Sequence, residues 1–135
     1  MPSYPRYGNL GGMSAPRLHP EFFIRLFLND SAMLGPGKAA LLDGIARTGS
    51  ISAAGREMGM SYKRAWMLVE TLNAMFRAPL VESARGGAGG GGATLTETGQ
   101  QVLALYCGIE AAAAEVNADR IAALKALQAD TSGRK

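Results

Sequence analysis

The residues best equipped for chemistry lie in one short run, Ser61-Tyr62-Lys63-Arg64, with Met67 one helical turn further on. Lys63 and Arg64 supply donors for phosphate oxygens or for guanine O6 and N7, and Ser61 and Tyr62 add hydroxyls, so the chemistry on offer is recognition of DNA. Material for bond-making is scarce. Cys107 is the single cysteine and His19 the single histidine, which excludes an internal disulfide and leaves too few soft ligands for a structural zinc site. With no compelling Asp/Glu cluster either, the chain is not expected to be an enzyme, and no cofactor or metal is implied. Cys107, inside the apolar stretch Val102 to Ile109, reads as a small buried residue.

A second run, Gly86 to Gly92, holds six glycines in seven positions and follows Arg85. A nucleotide-binding P-loop needs a lysine after its last glycine, and here Gly92 is followed by Ala93-Thr94. Two readings remain. One is a plain flexible hairpin tip; the other is a wing whose backbone N–H groups approach phosphates beside Arg85.

The elements that must position these runs follow from breakers and periodicity. Residues 1–17, with Pro2, Pro5, Pro16, Gly8, Gly11 and Gly12, show no periodicity and read as a flexible leader. LHPEFFIRLFL, residues 18–28, favours a strand. Pro36 suits the first turn of a helix through Lys38 to about Arg47, with Leu41, Leu42 and Ile45 inward. Thr48 and Gly49 stop it, Ser50 or Ser52 caps a short second helix on Ile51, Ala54 and Met58, and Gly59 is suited to the left-handed residue that closes it.

Ser61 is the expected N-cap of a third helix reaching about Arg77, with the stripe Ala65, Leu68, Val69, Leu72 and Phe76. Residues 80–83 and 93–96 are strand candidates around the glycine run. Thr96 caps a last helix from Glu97 to about Leu127, and Val102, Ile109, Val116 and Ala123 recur every seven residues along it, a seam that invites pairing with a second copy. Residues 129–135 read as a tail.

This order, short helix, glycine turn, amphipathic helix, predicts a helix-turn-helix whose third helix presents its N-terminal end to the major groove. Trp66 falls at helical spacing from Tyr62 and Val69 and reads as a core or interface residue, while Arg47 and Arg56, near helix ends, stay open between phosphate and solvent.

Composition agrees. The chain has 135 residues, 47% hydrophobic and 19% charged, which suits one compact domain. Its net charge of +3 is unevenly placed, with ten Lys or Arg against six Asp or Glu over residues 1–85 and four against five beyond. No stretch reaches the roughly 18 apolar residues of a membrane span, and the first residues lack the apolar centre of a signal peptide, so a cytoplasmic location is the default.

SISAAGREMGMSYKRAWMLVETLN, residues 50–73, followed by LVESARGGAGGGGATLTETGQQVL, resembles the N-terminal DNA-binding domain of the bacterial ModE-type, molybdate-responsive transcriptional regulators, a winged helix-turn-helix related to the LysR type. Its most specific pieces are Ser61-Tyr62-Lys63 with Ala65-Trp66, and the glycine run before Leu95-Thr96. The resemblance implies a dimer with helix three in the major groove and a last helix at the subunit interface. It further implies recognition-helix contacts from Ser61, Tyr62, Lys63 and Arg64, and a wing made of Arg85 with the 86–92 loop, Gly86 and Gly87 included.

Full-length relatives resemble a fusion with a C-terminal pair of oxyanion-binding modules, and this sequence stops at Lys135. No molybdate ligand is therefore assigned, and molybdate is not counted among the expected partners.

The resulting expectation is a mainly α winged helix-turn-helix over residues 18–96 with a small β-hairpin and a dimerisation helix over 97–128. It binds double-stranded DNA as a homodimeric regulator through Ser61, Tyr62, Lys63, Arg64, Met67, Arg85, Gly86 and Gly87, and pairs through Val102, Ile109 and Val116. The alternative is a small protein that binds an oxyanion, molybdate included, or a partner protein and uses the helix-turn-helix as scaffold; the basic start of helix three argues against it.

Overall fold

A computed structural model describes residues 23–84 and 92–129. The leader, residues 18–22, Arg85, Gly86, Gly87 and the end of the tail lie outside them. In chain order the elements are β1 (Leu26–Asn29), β2 (Ala32–Leu34), α1 (Pro36–Thr48), α2 (Ile51–Glu57), α3 (Tyr62–Met75), β3 (Val81–Ala84), β4 (Gly92–Leu95), α4 (Glu97–Val116) and α5 (Ala118–Leu127). The fold is mainly helical with small antiparallel hairpins, a winged helix-turn-helix as expected.

The caps are where the polar residues promised them. Ser50 Oγ accepts from Ala53 N, Ser61 Oγ from Arg64 N and Thr96 Oγ1 from Gly99 N, each satisfying an otherwise orphan amide of a first helical turn. Gly49 and Gly59 carry φ of 70° and 72°, left-handed values that let the chain leave α1 and α2 sharply at no Cβ penalty. Pro36 sits in the first turn of α1. The inward faces are those read from periodicity: Leu41, Leu42 and Ile45 from α1, Ile51 and Ala54 from α2, and Ala65, Val69 and Leu72 from α3 are buried together with Leu80, Tyr106 and Cys107.

Three features differ from expectation or were not anticipated. The first strand is shorter and pairs with β2, Leu26 opposite Leu34 and Phe27 opposite Met33. Asn29 makes the turn, its Oδ1 accepting from the Ser31 amide and hydroxyl. Three residues are too few for β2 to display an alternation, so nothing in the sequence marks it.

The last helix is interrupted at Asn117, which has φ −101° and ψ 7°. Its Nδ2 donates to the Ala113 carbonyl, a local side-chain bond of the kind that competes with helix continuation, and Asn117 then serves as the N-terminal flank of α5. No residue of α5 is buried, so no packing holds the two segments in line.

Val102 is only 8% exposed and belongs to the domain's own core. The apolar residues that α4 leaves in solvent are Leu105, Ile109 and Val116. The face that carries the seven-residue spacing is covered by the domain's core at Val102 and open to solvent at Ile109 and Val116.

Two polar anchors hold the hairpins. Asn73 Oδ1 accepts from Leu80 N and Val81 N while its Nδ2 donates to the Val81 carbonyl, fastening the end of α3 to β3. Tyr106 donates its hydroxyl to the Ile24 carbonyl at 2.6 Å, fastening the approach to β1 onto α4. Burial, then the nearby Glu110 carboxylate, pushes the Tyr106 phenol well above its ordinary pKa, so this donor keeps its proton.

Candidate nucleic-acid interface

The helix-turn-helix is set by small residues at helix crossings. A Cβ placed on Gly44 would meet the Ala54 Cβ at 2.8 Å, and one on Gly55 would meet the Ala65 Cβ at 2.9 Å, so α2 seats directly on α1 and α3 directly on α2. Arg47 then bolts the first pair, donating to Asp43 within α1 and gripping Glu57 of α2 with both guanidinium arms, at 2.6 and 3.2 Å. The open question about Arg47 is thereby answered: its charge is engaged in the scaffold. Arg56 donates to Ser52 Oγ and remains exposed.

The grip has a measurable consequence. Hydrogen bonding from Arg47 holds the Glu57 carboxyl below its ordinary value of 4.5, against a smaller opposing effect of burial. A lowered native pKa contributes stability that is present above the unfolded value and is lost as pH falls through the native one. Urea midpoints taken between pH 6 and pH 3 should therefore fall further for the parent than for Glu57→Gln, which has no such proton to take up; equal slopes would remove Glu57 from the acid response.

On this scaffold α3 turns Ala65, Val69 and Leu72 inward and leaves Ser61, Tyr62, Lys63, Arg64 and Met67 exposed, Tyr62 by 57% and Met67 by 55%. All five of these expected contact residues are thus exposed around the start of α3, with Tyr62 and Arg64 on opposite sides of Lys63 and Met67. Tyr62 meets Trp66 edge-on, with ring centroids 6.2 Å apart and planes at 79°, which steadies an otherwise free phenol beside the basic pair.

Beside that aromatic pair opens a groove of about 260 Å³ lined by Ser50, Ser52, Tyr62, Trp66, Ser83 and Ala93. The sequence reading did not single out Ser83 for this role. It arrives from β3, and no local signal could have placed it next to α2. Strand β4 is docked on the same side, since Ala93 N donates to the Gly49 carbonyl at 2.9 Å and brings it against the α1–α2 turn. Arg85, Gly86 and Gly87 lie outside the described residues.

Residues 38–100 match the family model for the bacterial regulatory helix-turn-helix protein, lysR family. Over these residues the chain is similar to the LysR-family helix-turn-helix. Three similar curated proteins extend the likeness beyond that domain. The molybdenum-pterin-binding protein MopB of Rhodobacter capsulatus is 45% identical over 111 residues, 76% of this chain and 41% of its own length. MopA of the same organism is 49% identical over 79 residues, 58% of this chain and 30% of its own.

The DNA-binding transcriptional dual regulator ModE of Escherichia coli K12 is 40% identical over 89 residues, 66% of this chain and 34% of its own. The chain thus spans less than half the length of each of these relatives. No helix among the described residues is long and apolar enough to cross a membrane.

Proposed function

We propose that this chain is a sequence-specific, double-stranded DNA-binding transcriptional regulator of the ModE and LysR type, acting in the cytoplasm as a homodimer. The observation that carries the reading is the start of α3. Its one buried face fixes the helix on the scaffold while Ser61, Tyr62, Lys63, Arg64 and Met67 are exposed around the rest of its first turns. A helix so mounted enters a major groove with its first turn against base edges. Lys63 and Arg64 supply bidentate or phosphate contacts, Ser61 and Tyr62 hydroxyl contacts, and Met67 an apolar face for a thymine methyl. Arg85, Gly86 and Gly87, between β3 and β4, are assigned to the flanking backbone.

The dimer draws support from α4, where Leu105 is 68%, Ile109 43% and Val116 67% exposed. Apolar residues of this size in a row along one helix favour cover by a second copy. The names of the relatives concern molybdenum, and we place the regulator in molybdenum-related control. The alternative, an oxyanion- or partner-binding protein with an idle helix-turn-helix, has less support because it leaves the exposed basic start of α3 without a role.

Fluorescence anisotropy with a labelled 30-base-pair duplex, repeated at several salt concentrations, tests this reading. Affinity is expected to fall steeply as salt rises, because each neutralised phosphate releases counterions, and the titration should saturate at two chains per duplex. Absence of duplex binding at low salt would overturn the proposal, and saturation at one chain would overturn the dimer.

A further inference from the structure

Helix α3 has two flanks, separated by the outer ridge of Lys63 and Met67. Tyr62 and Trp66, one turn apart, face the serine-lined groove described above. Arg64 and Leu68, also one turn apart, face a second groove of about 310 Å³ on the other side. Its walls bring in Arg25 from the segment before β1 and Lys38 from α1, over a floor of Met33, Met60 and Leu68. Lys38 is held in place by donating from Nζ to the Met33 carbonyl at 2.9 Å, which leaves its other two protons facing outward.

No carboxylate lines this groove, and among the described residues Arg25, Lys38 and Arg64 form no ion pair, whereas the nearby Arg47 has its charge taken up by Asp43 and Glu57. Three cations from three separate elements therefore converge with their charge uncompensated. Such a cluster attracts an anion with several charges spaced along it.

A helix lying in a major groove about 12 Å wide has a sugar-phosphate strand along each of its flanks. We propose that the groove of Arg25, Lys38 and Arg64 seats the backbone of one DNA strand, opposite the strand that runs along the serine groove and the wing. The inference rests on the functional reading above and extends it to two residues outside the recognition helix, Arg25 and Lys38. Their contacts are to phosphate and carry no base information, so they set the register of α3 in the groove and contribute to affinity on every sequence alike.

The test compares Arg25→Gln/Lys38→Gln with Arg120→Gln/Lys125→Gln, a control that removes the same charge from α5. For each protein, log of the binding constant is followed against log of salt on a random-sequence 30-base-pair duplex and on a second duplex of different sequence. Losing two phosphate contacts should lower the slope by about 1.8, at roughly 0.9 per phosphate, while preference between the duplexes stays that of the parent. The control should keep the parent slope.

A groove variant that binds with the parent's slope overturns the inference, as does a control that loses as much slope as the groove variant. Protection of the groove by millimolar inorganic phosphate without any change in slope would assign it to a small oxyanion and overturn it too. A parent that binds neither duplex fails the functional reading itself, a result distinguishable from all of these. The thermal midpoint of the groove variant, expected within a few degrees of the parent's because Arg25 is exposed and Lys38 half-buried, separates a lost contact from a lost fold.

Discussion

Reversing both charges at the start of α3, Lys63→Glu/Arg64→Glu, is expected to weaken duplex binding by about two to three orders of magnitude while leaving the thermal midpoint close to the parent's. Each good bidentate base contact is worth roughly 1–3 kcal/mol, and a reversed charge adds repulsion from the phosphates to the loss of the contact. Stability should hardly move, because both side chains are exposed and neither is hydrogen-bonded to another element through its side chain. The Ser61 cap accepts from the Arg64 backbone amide, which survives the substitution. Anisotropy titrations of the two proteins at equal salt check the prediction, and equal affinities would remove these residues from the interface.

Gly99→Ala should be among the most damaging single-methyl changes in the chain. The first turn of α4 lies directly on the loop between α3 and β3, where a Cβ on residue 99 would fall inside the van der Waals envelope of the Leu80 carbonyl oxygen and reach the Leu80 Cα at 3.2 Å. That oxygen cannot swing aside, because it accepts from Thr96 N at 2.9 Å while Thr96 donates its hydroxyl to the Pro79 carbonyl. The backbone must shift, and overpacking of this kind costs about 1–3 kcal/mol or more, a drop in thermal midpoint of roughly 5–15 °C for a domain of this size. An alanine substitution inside a helix ordinarily stabilises, so the sign itself is diagnostic. Gly108→Ala, one helix face away with open space around its Cβ, is the control and should not destabilise. A Gly99→Ala protein as stable as its parent would show that the contact at Leu80 is looser than the structure has it.

What the sequence made legible were the features written within a few residues of one another. The serine and threonine caps at 50, 61 and 96, the left-handed glycine at 59 and the buried stripe of α3 each depend on spacings of three or four residues, and each is realised. The exposure of Ser61 through Arg64 follows directly from that stripe.

What stayed hidden depends on chain segments meeting across the fold. Asn73 bonds to residues seven and eight positions away, Arg47 reaches ten positions to Glu57, and the second groove draws on Arg25, Lys38 and Arg64 together. Nothing local marks Gly99 within the last helix, since the carbonyl it accommodates belongs to Leu80 in a different segment. The burial of Val102 was hidden for a related reason: a seven-residue spacing records which residues share a helix face, and says nothing about where the rest of the domain covers that face. One asparagine in an alanine-rich run carries little propensity penalty, so nothing local marks the break at Asn117, whose side chain and backbone amide both donate to the Ala113 carbonyl.

The hydroxyl of Tyr106 and the carbonyl of Ile24 are 82 residues apart in the chain. On a ribosome adding about 5–20 residues per second, the segment at Ile24 waits roughly 4–16 s for its anchor to be made. Throughout that interval Leu26, Leu28 and Leu34 have no α4 to lie against, because Val102, Leu105, Tyr106 and Ile109, the opposite wall of their apolar groove, are still unsynthesised. The β1–β2 hairpin is thus made well before the helix that fastens it, and over that interval its apolar residues are open to other nascent chains.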